Sequence, residues 1–156
     1  MVEGDEVEEG DLSKDFSLED QNGEEFKLSE QRGKRVLLSF HPLAGTSVCR
    51  KQMVSLEENK DRFDEIDAVA VGLSVDSVPA KKLWADKIGI EDIRLLSDFW
   101  PHGGVGKKYG LFDAEKGFSK RANIIVDEDG KIIFKKVYPM GEVPDIEEIF
   151  KELKNR

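Results

Sequence analysis

Cys49 is the only thiol in the chain, and it closes the run Phe40-His41-Pro42-Leu43-Ala44-Gly45-Thr46-Ser47-Val48-Cys49. A lone cysteine can form neither an intrachain disulfide nor half of a zinc site, so its chemistry is that of a free thiol. The thiolate is the nucleophile, and an ordinary thiol with a pKa of about 8.5 is only a few per cent ionised at neutral pH. Lowering that value by ~2 units requires about 2.7 kcal/mol of preferential stabilisation of the anion, more than the ~2 kcal/mol a helix terminus supplies at best. A reactive Cys49 therefore needs a cation, and periodicity does not say which residue provides it. Without one, the cysteine reads as a small core hydrophobe and Thr46 as a helix cap.

The elements around this stretch define where the thiol sits. Val36 to Phe40 is an almost continuously apolar run, as in a strand covered on both faces. Cys49, Met53, Leu56 and Phe63 then recur at helical spacing among charged residues, which predicts one amphipathic helix with Thr46 near its start. Ala68 to Val75 reads as a second buried strand. Asp76 or Ser77, with Pro79 behind it, opens a further helix whose expected inward residues are Leu83, Trp84 and Ile88. Ile93 to Leu96 is a short strand, and residues 100–109 are loop with part of a helix. Phe16 to Leu28 around Asn22-Gly23, and Ala122 to Val137 around Asp127-Glu128-Asp129-Gly130, read as hairpins. Pro144 and Asp145 start a last helix with Ile146, Ile149, Phe150 and Leu153 on one stripe. The order predicts an α/β chain, a mixed central sheet flanked by helices with a thioredoxin-like fold and an insertion. Cys49 then falls in the first helical turn after a central strand, where open α/β sheets place their sites.

Composition narrows the function classes. The 156 residues are 38% apolar, enough for one core. Residues 1–9 are expected to be a flexible acidic segment, and residues 10–156 a single domain. Thirty-three acidic against 24 basic residues give a net charge of −9, which disfavours nucleic acid and anionic membranes as partners. No run reaches the ~18 apolar residues a membrane span needs, and with the single thiol this predicts a cytoplasmic chain. His41, His102 and Cys49 lack any recognised ligand spacing, so no metal and no other cofactor is expected. Trp84 and Trp100 read as core or interface residues.

Pro42-x-x-x-Thr46-x-x-Cys49 resembles the active-site motif of the peroxiredoxins, thiol peroxidases of the alkyl hydroperoxide reductase and thiol-specific antioxidant family. Gly10-Asp11, Asp15 to Leu18, Gly33 to Val36, Leu95 to Asp98 and Arg121 to Ile132 carry the likeness from about Gly10 to the end. Residues 95–121 are most similar to the one-cysteine alkyl hydroperoxide reductase E type, with which a single cysteine agrees. The resemblance implies that Cys49 is the peroxidatic nucleophile, forming a sulfenic acid with hydrogen peroxide or an organic hydroperoxide. It also implies that Thr46 orients the peroxide and that Arg121 is the missing cation. Pro42 would shield the sulfur, and the backbone N–H groups of Cys49 and Val48 would complete the donor set. With no second cysteine, regeneration would fall to a small external thiol, a thioredoxin- or glutaredoxin-like protein, or Cys49 of another subunit, and the subgroup suggests a homodimer packed through the loops around Trp100 and the active-site region. Two departures stand out: Gly45 replaces a frequent aromatic residue, and Gln52 replaces a frequent glutamate. A peroxide sensor and a holdase chaperone are the alternative functions.

Overall fold

A computed structural model describes residues 7–155. Along the chain these form β1 (Ser17–Glu19), β2 (Glu25–Lys27), β3 (Arg35–Phe40), α1 (Ser47–Glu58), α2 (Lys60–Glu65), β4 (Ala68–Ser74) and α3 (Val78–Ile88). There follow β5 (Arg94–Ser97), α4 (Gly104–Lys108), β6 (Phe112–Asp113), β7 (Phe118–Ser119), β8 (Arg121–Val126), β9 (Ile132–Tyr138) and α5 (Ile146–Asn155). The main sheet has the order β5-β4-β3-β8-β9, with β3 in the middle. β3 pairs parallel with β4 and antiparallel with β8, so the sheet is mixed as expected.

Strand alternation sorts the core into two layers. Val36, Leu38 and Phe40 of β3 join Ala122, Ile124 and Val126 of β8 on one face, under Phe16, Phe26 and Tyr109. Leu37 and Ile125 lie on the other, with Cys49, Met53, Leu56, Trp84, Phe150 and Leu153 from the helices. Ser39 and Arg121 share the helix-facing parity, so the sheet aims both toward α1. Gly72 of β4 lets that helix sit close: a Cβ there would stand 2.3 Å from Met53 Sδ. A larger residue there would force the Met53 side chain to move.

Several expectations are corrected. The helix expected to run through Phe63 breaks at Asn59, whose Nδ2 donates to the Ser55 carbonyl at 2.8 Å and so competes with the backbone ladder. Leu83, expected inward, is 73% exposed, and Lys81 occupies the buried stripe with Trp84 and Ala85. Of the acidic stretch 1–9, residues 1–6 lie outside the described residues. Val7 packs in the core and its carbonyl accepts from Lys135 Nζ at 2.8 Å, so the packed body begins before Gly10. The first hairpin turn uses more than Asn22-Gly23. Only Gly23 is left-handed, and the Asp20 carboxylate organises the loop by accepting from the N–H groups of Asn22 and Glu24. The small β6–β7 hairpin was not expected from the sequence; it brings Phe118 to the site.

Candidate active site

The loop from His41 to Thr46 continues from the carboxyl end of β3 and is tied down from three sides. His41 N–H donates to the Leu73 carbonyl, extending the β3–β4 pairing by one residue. Ser119 Oγ donates to the His41 carbonyl at 3.1 Å. Ala44 N–H and Ser74 Oγ both donate to Asp76 Oδ2, at 2.7 and 2.6 Å, which fixes the middle of the loop against the end of β4. Gly45 takes φ +92°, a left-handed turn into the helix, and a Cβ there would meet nothing within 4 Å. Its replacement of a bulkier residue therefore leaves open space.

Thr46 occupies the N-cap position of α1, but its side chain makes no capping bond. Oγ1 donates instead to the Leu43 carbonyl at 3.2 Å, and the residue is exposed. Ser47, Val48 and Cys49 form the first turn, whose N–H groups have no intrahelical acceptor. Cys49 itself is fully buried.

The cation reaches the sulfur from β8. Arg121, 3% exposed, donates Nη1 to Cys49 Sγ at 3.3 Å and to Gln52 Oε1 at 2.8 Å, while Nη2 donates to the Met140 carbonyl at 2.8 Å. Gln52 sits one turn beyond Cys49. Its Nε2 donates to Ser39 Oγ at 2.8 Å and to the Phe40 carbonyl at 3.1 Å, so its oxygen must face the guanidinium. A glutamate would lack those two donors; the neutral amide aligns Arg121 without cancelling its charge. This positioning role escaped the sequence reading, although the i, i+3 spacing from Cys49 put Gln52 on the same face.

Pro42, Leu43, Thr46, Val48, Phe118 and Arg121 line an open cleft of about 240 Å³. Pro42 is buried, Val48 partly so, and Thr46 stands at the exposed side. Pro42, Thr46, Val48 and Arg121, dispersed over 80 residues of sequence, thus share one cleft; Cys49 is buried and does not line it, and of the four it is Arg121 that donates to its sulfur. His41 and His102 are apart from this contact. His41 is buried with its ring 5.5 Å from that of Trp84, and His102 Nε2 lies 2.7 Å from the Gly117 carbonyl oxygen. Burial, reinforced by Lys81 and Arg121, pushes His41 well below the usual histidine value, which keeps its ring neutral.

A mixed sheet with a paired thiol in the first turn of the helix after its central strand defines a thioredoxin-like thiol enzyme. Residues 10–135 match the AhpC/TSA family, and the chain belongs to it. It is 40% identical over 137 residues to the alkyl hydroperoxide reductase E of Mycobacterium tuberculosis, covering 87% of this chain and 89% of the relative. A thiol peroxidase of Streptococcus agalactiae is 31% identical over 131 residues, covering 84% and 78% respectively. Among solved structures, Enterococcus faecalis AhpC superposes with a TM-score of 0.85 at 25% identity, covering 94% of this chain and 90% of that one. The Mycobacterium tuberculosis peroxidoxin BcpB gives 0.82 at 28% identity, covering 94% and 96%. The chain is a peroxiredoxin, a peroxide-reducing thiol peroxidase.

Proposed function

We propose that this chain reduces hydrogen peroxide and organic hydroperoxides by a one-cysteine mechanism. The Cys49 thiolate attacks the terminal peroxide oxygen and the O–O bond breaks. The leaving hydroxide or alkoxide takes a proton to give water or an alcohol, and sulfur keeps the oxygen as a sulfenic acid. Arg121 stabilises the thiolate and the charge that grows along the breaking bond, acting where it needs no reorganisation. Thr46 Oγ1 orients the peroxide, exchanging its contact with the Leu43 carbonyl for one with substrate. Pro42 contributes a wall without an N–H that would draw water, and the N–H groups of Cys49 and Val48 serve the peroxide oxygens.

The observation that carries this reading is the 3.3 Å contact from Arg121 Nη1 to Cys49 Sγ in a site where both groups are buried. Burial strengthens a charge-assisted bond, and it leaves the guanidinium little choice but the sulfur, Gln52 and Met140. With one cysteine in the chain, a second thiol must come from outside, either a small thiol or a thioredoxin- or glutaredoxin-like protein. Turnover that rises with added dithiothreitol and vanishes in Cys49→Ser is the expected result. Oxidised protein that accumulates as a disulfide-linked dimer, with turnover unaffected by external thiol concentration, would contradict the one-cysteine scheme.

A homodimer belongs to the same proposal. Leu83, Phe99 and Trp100 are 73%, 50% and 80% exposed. Phe99 and Trp100 line a groove of mixed character with Leu18, Val78 and Pro79 and with Ser17, Glu19, Ser77 and Ser97, and the exposed rings are suited to contact with a second copy. Sedimentation at micromolar concentration is expected to give a dimer that Trp100→Glu dissociates; a monomer at that concentration removes this part. A cytoplasmic location fits the lone free thiol.

A further inference from the structure

The active-site cleft adjoins a second groove, of about 190 Å³, to which the peroxidase chemistry above assigns nothing. Phe118 and Met140 line both. The groove lies between the β6–β7 hairpin and the end of β9, and Asp113, Lys116, Lys120 and Val137 also line it. Its walls are largely carbon, with Val137 and Met140 among the few large apolar side chains left exposed. Its charge comes from two lysines and one carboxylate, in a chain whose net charge is −9. Lys116 and Lys120 are exposed, and neither pairs with an acid among the described residues, whereas Lys27, Lys34, Lys60, Lys82 and Lys136 all do. The Asp113 carboxylate is turned to its own hairpin, where Oδ1 accepts from the N–H groups of Glu115 and Lys116 at 3.0 and 3.2 Å. Lys120 N–H donates to the Leu111 carbonyl at 2.8 Å, which fixes the backbone one residue before Arg121.

We propose that this groove docks a small thiol bearing a carboxylate, with Lys116 and Lys120 holding the anionic group while the thiol sulfur enters the active-site cleft. The step it serves is the return of the oxidised enzyme. The incoming sulfur attacks the sulfur of the Cys49 sulfenic acid, a sulfur–sulfur bond forms and the sulfur–oxygen bond breaks. The departing hydroxide takes the thiol proton and leaves as water. A second molecule of the same thiol attacks the mixed disulfide, releasing a small disulfide and the Cys49 thiolate. Charge and size single out this occupant. A chain of net −9 repels an anionic thiol at large, so a local pair of unpartnered ammonium groups is what admits one. The apolar walls take its carbon chain. At about 190 Å³ the groove is smaller than the roughly 300 Å³ at which pockets for drug-sized ligands begin, which suits a molecule of a few heavy atoms. Hydrogen peroxide has no atoms to place in such a groove, whereas every reducing thiol brings a carbon chain.

The proposal rests on the one-cysteine reading, so the experiment isolates the reducing half of the cycle. Wild type, the double variant Lys116→Glu/Lys120→Glu and the double variant Lys116→Arg/Lys120→Arg are oxidised with one equivalent of hydrogen peroxide and freed of any excess. Each is then mixed with β-mercaptopropionate or with the neutral β-mercaptoethanol, and the rates are compared per unit of thiolate. Wild type is expected to react about fivefold faster with the anionic thiol, the order of effect of two exposed charge pairs. The arginine variant should keep that preference, the glutamate variant should reverse it, and roughly 0.5 M salt should remove it. Equal rates for the two thiols in wild type, or a preference that survives charge reversal, overturns the proposal. If peroxide forms no sulfenic acid, the peroxidase reading fails alone and the groove is still tested, because the Cys49 thiolate forms the same mixed disulfide by exchange with dithiodipropionate. The same preference over hydroxyethyl disulfide, and the same reversal, are then expected, and equal exchange rates overturn the proposal. A glutamate variant that loses rate only in its oxidation by a carboxylate-bearing hydroperoxide, with the thiol preference unmoved, would give the groove to the peroxide substrate and likewise overturn it.

Discussion

Replacing Lys81 by methionine is predicted to stabilise the fold at neutral pH, by an amount that shrinks as pH rises. The lysine sits at about 8 in the fold against an ordinary 10.5, because burial disfavours the charged form. The difference of about 2.5 units corresponds to roughly 3 kcal/mol. Below pH 8 both native and unfolded chains carry the proton, and the full cost is present. Between 8 and 10.5 the native state releases its proton first, the unfolded state binds more, and stability climbs with pH. At pH 7 the methionine variant gains about 3 kcal/mol from this source, and at pH 9.5 roughly half of that remains. Methionine follows the volume of the lysine stem and its flexibility limits packing loss. Urea unfolding of both proteins at the two pH values measures the gap, and other titrating groups cancel in the difference because they are common to both. The gap is expected to narrow by about 2 kcal/mol. A gap that is constant across the range, or a variant less stable at both, would refute the argument that a buried charge sits at this position.

Three other substitutions probe the positioning of the site. Gln52→Leu leaves the Phe40 carbonyl and Ser39 Oγ without their donor and Arg121 with one acceptor fewer. It should lower the unfolding free energy by about 2–3 kcal/mol and slow Cys49 oxidation, whereas an unchanged denaturation midpoint would count against the hydrogen-bond assignment. Thr46→Val keeps the shape of an exposed residue that makes no capping bond, so stability should stay within about 0.5 kcal/mol of wild type while peroxide reduction falls. Equal activity would remove Thr46 from the substrate site. Gly45→Ala meets no atom but must hold φ +92°; thermal unfolding should reveal a cost of about 1–2 kcal/mol, and a variant as stable as wild type would show that the loop relaxes.

How far the sequence reveals this arrangement depends on the range of the interaction involved. Strands such as Val36 to Phe40 and the α5 stripe announce themselves because burial imposes a period on consecutive residues. Cys49 at a helix start follows from the same patterns. Arg121 is different: 72 positions separate it from Cys49, and only the motif resemblance linked them before β3–β8 pairing made them neighbours. Lys81 shows the opposite failure. The stripe Lys81, Trp84, Ala85, Ile88 is a regular i, i+3, i+4, i+7 pattern, but hydrophobicity assigned the inward place to Leu83 because a buried ammonium is rare. The break at Asn59 was hidden for a related reason, since a side chain competing for a backbone carbonyl leaves the apolar spacing intact. Gln52 stood in plain view as a departure from the family pattern, yet its role depends on three partners that only the packed sheet brings together.

Cys49 is proposed to react as a thiolate supported by Arg121. The most direct test is intact mass after mixing fully reduced protein with a slight excess of hydrogen peroxide for a second or less, for wild type, Cys49→Ser and Arg121→Ala. Wild type is expected to gain one oxygen, trapped by a sulfenic-acid reagent, with no gain in Cys49→Ser and a gain slowed by about 10- to 100-fold in Arg121→Ala, as for a lost charge-assisted bond. Wild-type protein that remains unmodified for minutes, or Arg121→Ala that oxidises at the wild-type rate, would contradict it.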